Sequence, residues 1–390
     1  MKYIELVLLS FTLLLSCHQQ QAGLLQPEFD AISKRWVPDQ RVGICNFSLE
    51  NGAQERLILR GESLFPDAKK EILQMINKQG VKFVDSAVIL PDTAKIQMNW
   101  GLVTLSTANI RGKPVHSSEL ISQAIMGTPV RILKDTDGWI LIQTPDRYIG
   151  WTNKSAVKQL DRTSFSEWQK ANRMIFTAGS GIIYSDDKKT QVMSDLVAGA
   201  IVTMLDGNKE YSQIELPDGR TGYISNQNWI NFKQWEDTIS LKNNRMISDA
   251  KLFLGFPYLW GGMSSKAMDC SGFVKTVCFL NGLILERDAS QQVNHGKVVE
   301  VTSALDNLEK GDLLFFGSKQ PFHVTHVGIY LGNKEVIHAS GSLGRVVISS
   351  LDKDRLNFFS YLNTNLLGVR RIIGSSPEQG CIPVRLHSWY

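Results

Sequence analysis

One stretch of the chain repeats itself 72 residues later without a gap, and this repeat limits the possible folds more than any other feature. Internal self-similarity predicts two copies of one structural unit. Short alternating runs broken by Asp-Gly or Pro-Asp turns are typical of small β-barrels. We therefore predict one barrel over 96–160 and a second over 172–232. The matched pairs are Gly127 and Gly199, Val130 and Val202, Leu133 and Leu205, Trp139 and Tyr211, Ile142 and Ile214, Pro145 and Pro217, Asp146 and Asp218, Gly150 and Gly222, and Trp151 and Tyr223.

Length and composition indicate several folded modules. A chain of 390 residues exceeds one ordinary core, and 43% hydrophobic with 21% charged residues is typical of globular protein. The net charge of +4 comes from 42 basic and 38 acidic residues. That bias is too small to indicate a nucleic-acid partner, and we expect none.

The first residues resemble a secretion signal. Lys2 precedes an apolar run from Leu6 to Leu15, which is shorter than the roughly 20 residues that span a bilayer. A small residue, Ser16, directly before Cys17 resembles the lipobox of bacterial lipoproteins. We predict a lipoprotein signal peptide over 1–16, acylation of Cys17, and an extracytoplasmic protein held to the membrane by that lipid, facing the periplasm if the cell is Gram-negative. The alternatives are an ordinary signal and a buried N-terminal helix.

Residues 17–95 predict a small α/β domain. A helical pattern runs from Ala68 to Lys78 with Ile72, Leu73 and Ile76 on one face, and the strand-like segment 81–84 follows. The segment carries no recognisable chemistry, so we expect a structural or docking role.

A cysteine in the last third of the chain is placed as a nucleophile. Asp269 is suited to N-cap a helix that ends at Gly282, which puts Cys270 in the first turn. Unpaired N–H groups and the helix dipole there favour a thiolate. Cys278 lies about two turns deeper, where we expect a buried thiol. Whether Cys45 and Cys381 pair stays open.

Two histidines are candidates for the base and its partner. His326 opens an alternating strand, and His338 lies in the next one after a short turn, so a hairpin would place them side by side. His338 could then orient the imidazole of His326. We expect His323 at the rim. Zinc held by Cys270, His326 and His338 is the alternative, but no paired ligand spacing accompanies them, and we expect no metal and no cofactor.

Four ordered motifs resemble the NlpC/p60 family of cell-wall cysteine peptidases. The motifs lie at 269–273, 311–316, 326–330 and 337–339. The resemblance implies a papain-like α+β domain over 240–374, followed by a tail over 375–390. The predicted fold class is thus multidomain: a small α/β domain, two SH3-like β-barrels and the papain-like domain. It also implies cleavage of the bond between γ-D-glutamate and a diamino acid in peptidoglycan peptides.

Within that family, paired SH3-like domains resemble those of the γ-D-glutamyl-L-diamino acid endopeptidases, which act on peptides with a free N-terminal L-alanine. The resemblance implies that Glu119 and Tyr148 lie near the free amine. A buried acid there would reject peptides still attached to glycan. Asp269 and Ser290 could instead be only helix caps. The catalytic-domain positions that the resemblance implies as substrate-lining are Tyr258, Asp269, Ser271, Asp288 and Ser290.

Two other functions remain open on the sequence. The chain could be a general wall hydrolase that cuts attached stem peptides and uses its barrels as tethers. It could also be a non-catalytic lipoprotein that binds wall peptides, although the intact set of Cys270, His326 and His338 argues against decay. We expect a monomer.

Overall fold

The structure, a computed structural model, describes residues 23–52, 56–302 and 304–390. The predicted signal peptide and Cys17 lie outside these residues. Two compact units divide the chain, Met1–Gln97 and Met98–Tyr390. None of the helices in the described ranges is long and apolar enough to cross a membrane.

The first unit contains a small mixed sheet with two helices. Strand β2 pairs antiparallel with β1 and parallel with β3 and β4. Helix α2 begins two residues before the predicted start because Pro66 suits the first helical turn. It buries Ala68, Ile72 and Ile76, whereas Leu73 is only partly buried. The elements are α1 (23–36), β1 (Cys45–Asn51), β2 (Leu57–Ser63), α2 (Pro66–Lys78), β3 (Phe83–Asp85) and β4 (Val88–Ile89).

Seven antiparallel strands form the first sheet of the second unit, in the order β11-β5-β8-β9-β10-β6-β7. Apolar side chains such as Val130, Ile132 and Ile142 are fully buried in its core. A short 3-10 turn at Lys154–Ala156 precedes the last strand. The strands are β5 (Trp100–Val103), β6 (Thr107–Arg111), β7 (Leu120–Ile125), β8 (Pro129–Thr136), β9 (Trp139–Gln143), β10 (Ile149–Asn153) and β11 (Val157–Leu160).

Another seven-stranded sheet repeats this topology, in the order β14-β13-β17-β16-β15-β12-β18. Read from the other end, this is the order of the first sheet, element for element. Gly127 and Gly199, one repeat apart, both adopt positive φ, +78° and +88°, at the same turn. The strands are β12 (Arg173–Phe176), β13 (Ser180–Tyr184), β14 (Val192–Val197), β15 (Ile201–Gly207), β16 (Tyr211–Glu215), β17 (Thr221–Ser225) and β18 (Trp229–Asn231).

Three helices connect these sheets to the rest of the unit. Helix α3 (Arg162–Lys170) joins the two sheets, and α4 (Phe232–Thr238) and α5 (Asn243–Lys251) follow the second. Asp161 and Asn231 cap α3 and α4 with their side chains. Buried Phe165, Trp168, Phe232 and Trp235 give these helices their apolar faces.

A six-stranded antiparallel sheet, ordered β22-β27-β23-β24-β25-β26, forms the last part. Helix α6 packs on one of its faces: Phe273 and Val277 share a core with Phe315 and Val327. The elements are β19 (Met263–Ser264), β20 (Ala267–Met268), α6 (Cys270–Leu280), β21 (Leu283–Ile284), α7 (Ala289–Gln292), β22 (Lys297–Val299), β23 (Leu313–Lys319), β24 (Phe322–Gly332), β25 (Glu335–Ser340), β26 (Arg345–Ser350), α8 (Ser360–Thr364) and β27 (Leu366–Arg371).

The last residues fold back over the junction of these sheets. Strand β28 (Ile382–Pro383) pairs with β21, between 3-10 turns at Pro377–Gln379 and Val384–Leu386. Trp389 meets Trp100 edge-on with ring centroids 5.3 Å apart. Tyr390 stacks on Phe232 at 6.0 Å, so this segment contacts both the first sheet and α4.

Candidate active site

Cys270 is the first residue of α6, as the sequence predicts. Asp269 caps the helix, and its Oδ1 accepts a hydrogen bond from the backbone N–H of Gly272 at 2.7 Å. The Cys270 Sγ lies 3.9 Å from the carbonyl oxygen of Thr325, on the strand that carries His326. Only 6% of Cys270 is exposed, and Cys278 is fully buried.

A hairpin places the two histidines together. Strands β24 and β25 are joined by Asn333 and Lys334, both with positive φ. The Nε2 of His326 and the Nδ1 of His338 are 2.9 Å apart, and the Nε2 of His338 lies 3.0 Å from the Oγ of Ser349. Since this contact occupies the Nε2 of His326, its Nδ1 is the nitrogen left to take a proton from the thiol.

Burial, rather than the helix dipole, dominates the electrostatics of this group. It raises the pKa of the Cys270 thiol to about 12, with a further rise from the charge of Asp269. Burial also lowers the pKa of His326 to about 4 and that of His338 to about 3. These shifts favour a resting thiol and imidazole, which is opposite to the shift that a helix N-terminus alone would give the Cys270 thiol.

Both carboxylate oxygens of Asp269 accept hydrogen bonds from other groups of the protein. Its Oδ2 lies 2.6 Å from the Nη2 of Arg287 and also accepts the N–H of Gly261 at 2.9 Å. Its Oδ1 accepts from Arg287 and from Ser271, in addition to the helix cap. Both partners of the ion pair are buried. Burial lowers the pKa of Arg287, but the charge and hydrogen bonds of Asp269 and the charge of Asp288 together raise it. The structure thus favours the cap and ion-pair role of Asp269 over contact with substrate, because the carboxylate has no free edge.

Tyr258, a position that the family resemblance implies as substrate-lining, is close enough to Cys270 and Asp269 to interact with them electrostatically. Burial raises the pKa of its phenol, and the neighbouring titratable groups of Cys270 and Asp269 raise that pKa further. The hydroxyl therefore stays protonated near neutral pH and remains a hydrogen-bond donor.

Glu119 reaches the catalytic part from the first seven-stranded sheet, but it is not buried. Its Oε1 accepts a hydrogen bond from the indole Nε1 of Trp260 at 2.8 Å. Glu119 is exposed, and 62% of Trp260 is exposed. The expectation of a buried acid is wrong, because Glu119 lies just before strand β7, where its side chain faces solvent at the junction.

Tyr148 crosses the same junction. Its hydroxyl donates to the Oδ2 of Asp288 at 3.1 Å. Next to it, Arg147 donates to Glu286 at 2.8 Å, and Glu286 also contacts His295 at 2.6 Å. The structure thus brings together Tyr148 and Asp288, two of the residues that the family resemblance implies as substrate-binding.

Ser290 does not cap the following helix. Helix α7 takes Asp288 as its N-cap, with a capping box that involves Gln291, and Ser290 lies inside the helix. Its carbonyl accepts from the side chain of Asn294 at 3.3 Å. The structure therefore corrects the alternative in which Ser290 is a cap: the acid two residues earlier takes that position.

Deeper contacts hold the first sheet against α6. The side chain of Gln123 accepts the backbone N–H of Met263 at 2.9 Å. Lys275 of α6 forms a buried ion pair with Asp146, which also accepts from Thr144 at 2.6 Å. These contacts fix the sheet that bears Glu119 and Tyr148 relative to Cys270.

Local sequence patterns do not indicate two residues of the site. Ser349 completes the row behind His338, and only strand pairing could have indicated it. Trp260 follows Tyr258 closely, but its contact with Glu119 spans the whole domain junction. His323 is exposed, in line with a rim position. Within the described ranges, no group of three or more His, Cys, Asp or Glu residues is placed to hold a metal ion.

Two family models match the chain. The model described as "NlpC/P60 family" matches residues 255–363, which include Cys270, His326 and His338. The model described as "Bacterial dipeptidyl-peptidase Sh3 domain" matches residues 110–157, which include Glu119 and Tyr148.

Known proteins agree with these matches. The chain is similar to "Dipeptidyl-peptidase 6" of Lysinibacillus sphaericus, with 29% identity over 276 residues, 69% of this chain and 97% of that protein. It is also similar to "Gamma-D-glutamyl-L-lysine dipeptidyl-peptidase" of Bacillus cereus, with 25% identity, 57% of this chain and 68% of that protein. The crystal structure of an NlpC/P60 family protein from Bacillus cereus superposes with a TM-score of 0.61 and 21% identity, covering 70% of this chain and 99% of that one.

Fold and site together define a cysteine peptidase with an attached SH3-like domain. The chain belongs to the NlpC/P60 family.

Proposed function

We propose that the protein is an endopeptidase that cleaves the γ-D-glutamyl–diamino acid bond of peptidoglycan peptides, and that it acts on released fragments with a free N-terminal L-alanine. Such an activity would serve murein turnover. The names of the two relatives, dipeptidyl-peptidases, support the removal of a dipeptide from a free N-terminus.

One observation carries the proposal: the first SH3-like sheet supplies side chains to the rim of the catalytic part. Glu119 bonds to Trp260, and Tyr148 bonds to Asp288. A carboxylate and a phenol at this rim suit an ammonium group, because each has an oxygen that can accept its N–H. A free L-alanine amine bound there would place the second peptide bond near Cys270.

The catalytic sequence follows from the neutral resting pair. As the Sγ of Cys270 attacks the γ-carbonyl carbon of D-glutamate, the thiol proton passes to the Nδ1 of His326. The Nδ1 of His338 holds that ring by a hydrogen bond with the Nε2 of His326, and the Nε2 of His338 in turn bonds to the Oγ of Ser349. The proton then goes to the departing amine of the diamino acid, and water hydrolyses the thioester.

Donors beside the sulfur suit the negative charge that develops in this reaction. The backbone N–H groups of Val327 and Ser271 point toward Cys270 and lower its pKa against the effect of burial. The protonated phenol of Tyr258 is a third donor near the sulfur. Such donors stabilise a tetrahedral oxyanion when they are fixed in advance.

Three substrates test the proposal. We expect the purified protein to release L-Ala-γ-D-Glu from L-Ala-γ-D-Glu-L-Lys, with mass spectrometry as the measurement. The same peptide with an acetylated N-terminus should be cleaved more slowly, because its amide carries no charge for Glu119. Equal rates on free, acetylated and sacculus-linked peptides would instead indicate a general wall hydrolase.

Anchoring at Cys17 is part of the proposal and rests on the sequence motif. We expect an extracytoplasmic lipoprotein. We also expect the protein to be a monomer. Radiolabelled palmitate should be incorporated into the expressed full chain and not into its Cys17→Ser variant. Incorporation that persists in this variant would contradict acylation at Cys17.

A further inference from the structure

A cavity lies where the second SH3-like sheet meets α3 and α4. Its volume is about 560 Å³, which lies within the range of small-molecule sites, roughly 300–1,000 Å³. Three cationic side chains line it: Lys170, Arg173 and Lys233. None of the residues assigned to catalysis contributes to its wall.

Arg173 is the unusual member of this cavity. Only 7% of the residue is exposed, and its Nε and Nη1 are buried without a hydrogen-bond partner among the described residues. Buried polar groups are normally paired, because an unpaired one costs about 1–3 kcal/mol and more if charged. Burial lowers the pKa of Arg173 to about 10, so the guanidinium still carries its charge at neutral pH.

Two aromatic rings fix the orientation of this guanidinium. Its Cζ lies 4.5 Å from the ring centroid of Trp168 and 4.3 Å from that of Phe232. Such stacking occupies the faces of the planar group, so a hydrogen bond to a ligand can form only along its N–H edges. A planar carboxylate matches that edge because it can accept two parallel hydrogen bonds.

The charges around Arg173 leave the cavity positive. Lys233 is paired with Glu236 at 2.8 Å and with Asp237 at 2.9 Å, so it is neutralised. Lys170 is exposed and has no ion-pair partner in the part of the chain that the structure describes. Glu236 also lines the cavity, and its charge partly opposes the effect of burial on the pKa of Arg173. Lys170, Arg173 and Lys233 together outnumber the two acids by one, so the local net charge is +1.

The remaining lining indicates what accompanies the carboxylate. Three amide side chains, Gln169, Asn172 and Asn231, line the same cavity. Amides pair with the N–H and C=O groups of a peptide backbone. The cavity is also several times larger than a single inorganic anion. A ligand that fills it therefore has further groups beside its carboxylate.

We propose that this cavity is a binding site for a peptide with a free carboxylate, which lies against Arg173 and Lys170. The two sources of such a ligand are soluble peptide fragments and the peptide stems of the wall. The inference does not depend on which bond Cys270 cleaves.

The test uses the full chain with Cys270→Ala, so that peptide is not consumed, and titrates it calorimetrically with L-Ala-γ-D-Glu-L-Lys. We expect two binding events, one at the active site and one at this cavity. Arg173→Lys should weaken only the second event, by at least about tenfold, because a point charge replaces the fork. Lys170→Ala, at an exposed position, should weaken the same event several-fold.

Lys209→Ala is the matched control, since Lys209 is an exposed lysine in the loop between β15 and β16, outside the cavity. Near-UV circular dichroism of each variant checks the fold. A cosedimentation arm with isolated sacculi distinguishes the sources: binding to sacculi that depends on Arg173, without a second event for free tripeptide, identifies wall stems.

Two results would overturn the site. One is peptide and sacculus binding that survives both Arg173→Lys and Lys170→Ala unchanged. The other is inorganic phosphate binding as tightly as the peptide with the same dependence on Arg173, which would exclude a carboxylate-specific site. Loss of the active-site event alone would count against the proposed cleavage specificity and leave this cavity assigned.

Discussion

In the first seven-stranded sheet Asp146 pairs with the buried Lys275 of α6, whereas the equivalent Asp218 of the second sheet pairs with Arg220 in its own exposed turn. The next equivalent positions differ likewise. Tyr148 reaches Asp288 in the catalytic part, and its counterpart is that same Arg220. Two copies of one topology have therefore been adapted in their loops, one to the catalytic site and one to solvent.

The strand order shows why loops could diverge while the sheets did not. Buried positions of both copies are apolar, such as Ile142 and Ile214, because they fill a core. Loop residues contact whatever lies beside the sheet, so their chemistry is free to follow that neighbour. The predictions below test whether only the first copy contributes to activity, in order of decreasing effect.

The largest effect is expected outside both copies. Cys270→Ala should reduce kcat/KM by on the order of 10⁴-fold or more with the fold intact, as loss of a nucleophile does in comparable acyl transfer. Cys278→Ala on the same helix should retain most turnover and lose only some stability. Alkylation that labels Cys278 and leaves Cys270 untouched in active protein would show that the nucleophile is assigned wrongly.

Next in size is the stability of the two equivalent ion pairs. Asp146→Asn should reduce the free energy of unfolding by about 3–5 kcal/mol, because it leaves the ammonium of Lys275 buried without a counter-charge. Asp218→Asn should cost less than about 1 kcal/mol, because its pair with Arg220 is exposed. Urea denaturation measures both.

A double variant sharpens that contrast. Asp146→Asn combined with Lys275→Met should regain much of the lost stability, since no buried charge remains. Equal losses for Asp146→Asn and Asp218→Asn would contradict a special role of the first sheet.

The third effect is on the pH dependence of kcat/KM. Because it is set by His326, we expect the same pH dependence in the wild-type protein and in variants of either seven-stranded sheet. His326 must be neutral to accept the thiol proton, and its pKa is lowered to about 4. We expect kcat/KM to fall about tenfold per pH unit below that value. An acid limb near 6.5 would mean that the base is solvated rather than buried.

Stability must be monitored in the same titration. The unfolded chain binds its histidine protons near pH 6.5, whereas folded His326 and His338 resist protonation. Folded-state stability is therefore greatest above about pH 6.5 and decreases as the pH falls from there toward 4. Near-UV circular dichroism separates this loss from the loss of the base.

A smaller effect is expected at the rim. Glu119→Gln should lower kcat/KM for the free tripeptide by about tenfold, because an exposed charged contact is screened and contributes little more than about 1 kcal/mol. The acetylated peptide should be affected little. Gln191→Ala, at the equivalent position of the second sheet, is the control and should leave kcat/KM unchanged for both substrates.

The smallest effect is expected at Tyr148, the other residue of the first sheet at the rim. Tyr148→Phe removes the hydrogen bond to Asp288 and should lower kcat/KM about threefold, as loss of one hydrogen bond of about 0.5–1.5 kcal/mol implies. Arg220→Ala should leave turnover unchanged. A larger loss for Arg220→Ala than for Tyr148→Phe would reverse the comparison between the sheets.

Local patterns in the sequence were sufficient for much of this structure. The offset of 72 residues predicts two units of one fold, because identical turn and core residues impose identical strands. Asp269 and Gly282 mark the ends of α6 within two residues, because capping is a local interaction. His326 and His338 could be placed side by side, because a short turn between two alternating strands leaves one pairing.

Only the tertiary structure decided how charged groups are surrounded. Burial reverses the expected shift of the Cys270 pKa, and burial depends on the whole sheet packed against α6. Asp269 meets Arg287 18 residues away, and Glu119 meets Trp260 at a junction 141 residues away in sequence. Electrostatic energies are set by distance and solvent exposure, and neither quantity is encoded in residues that are adjacent along the chain.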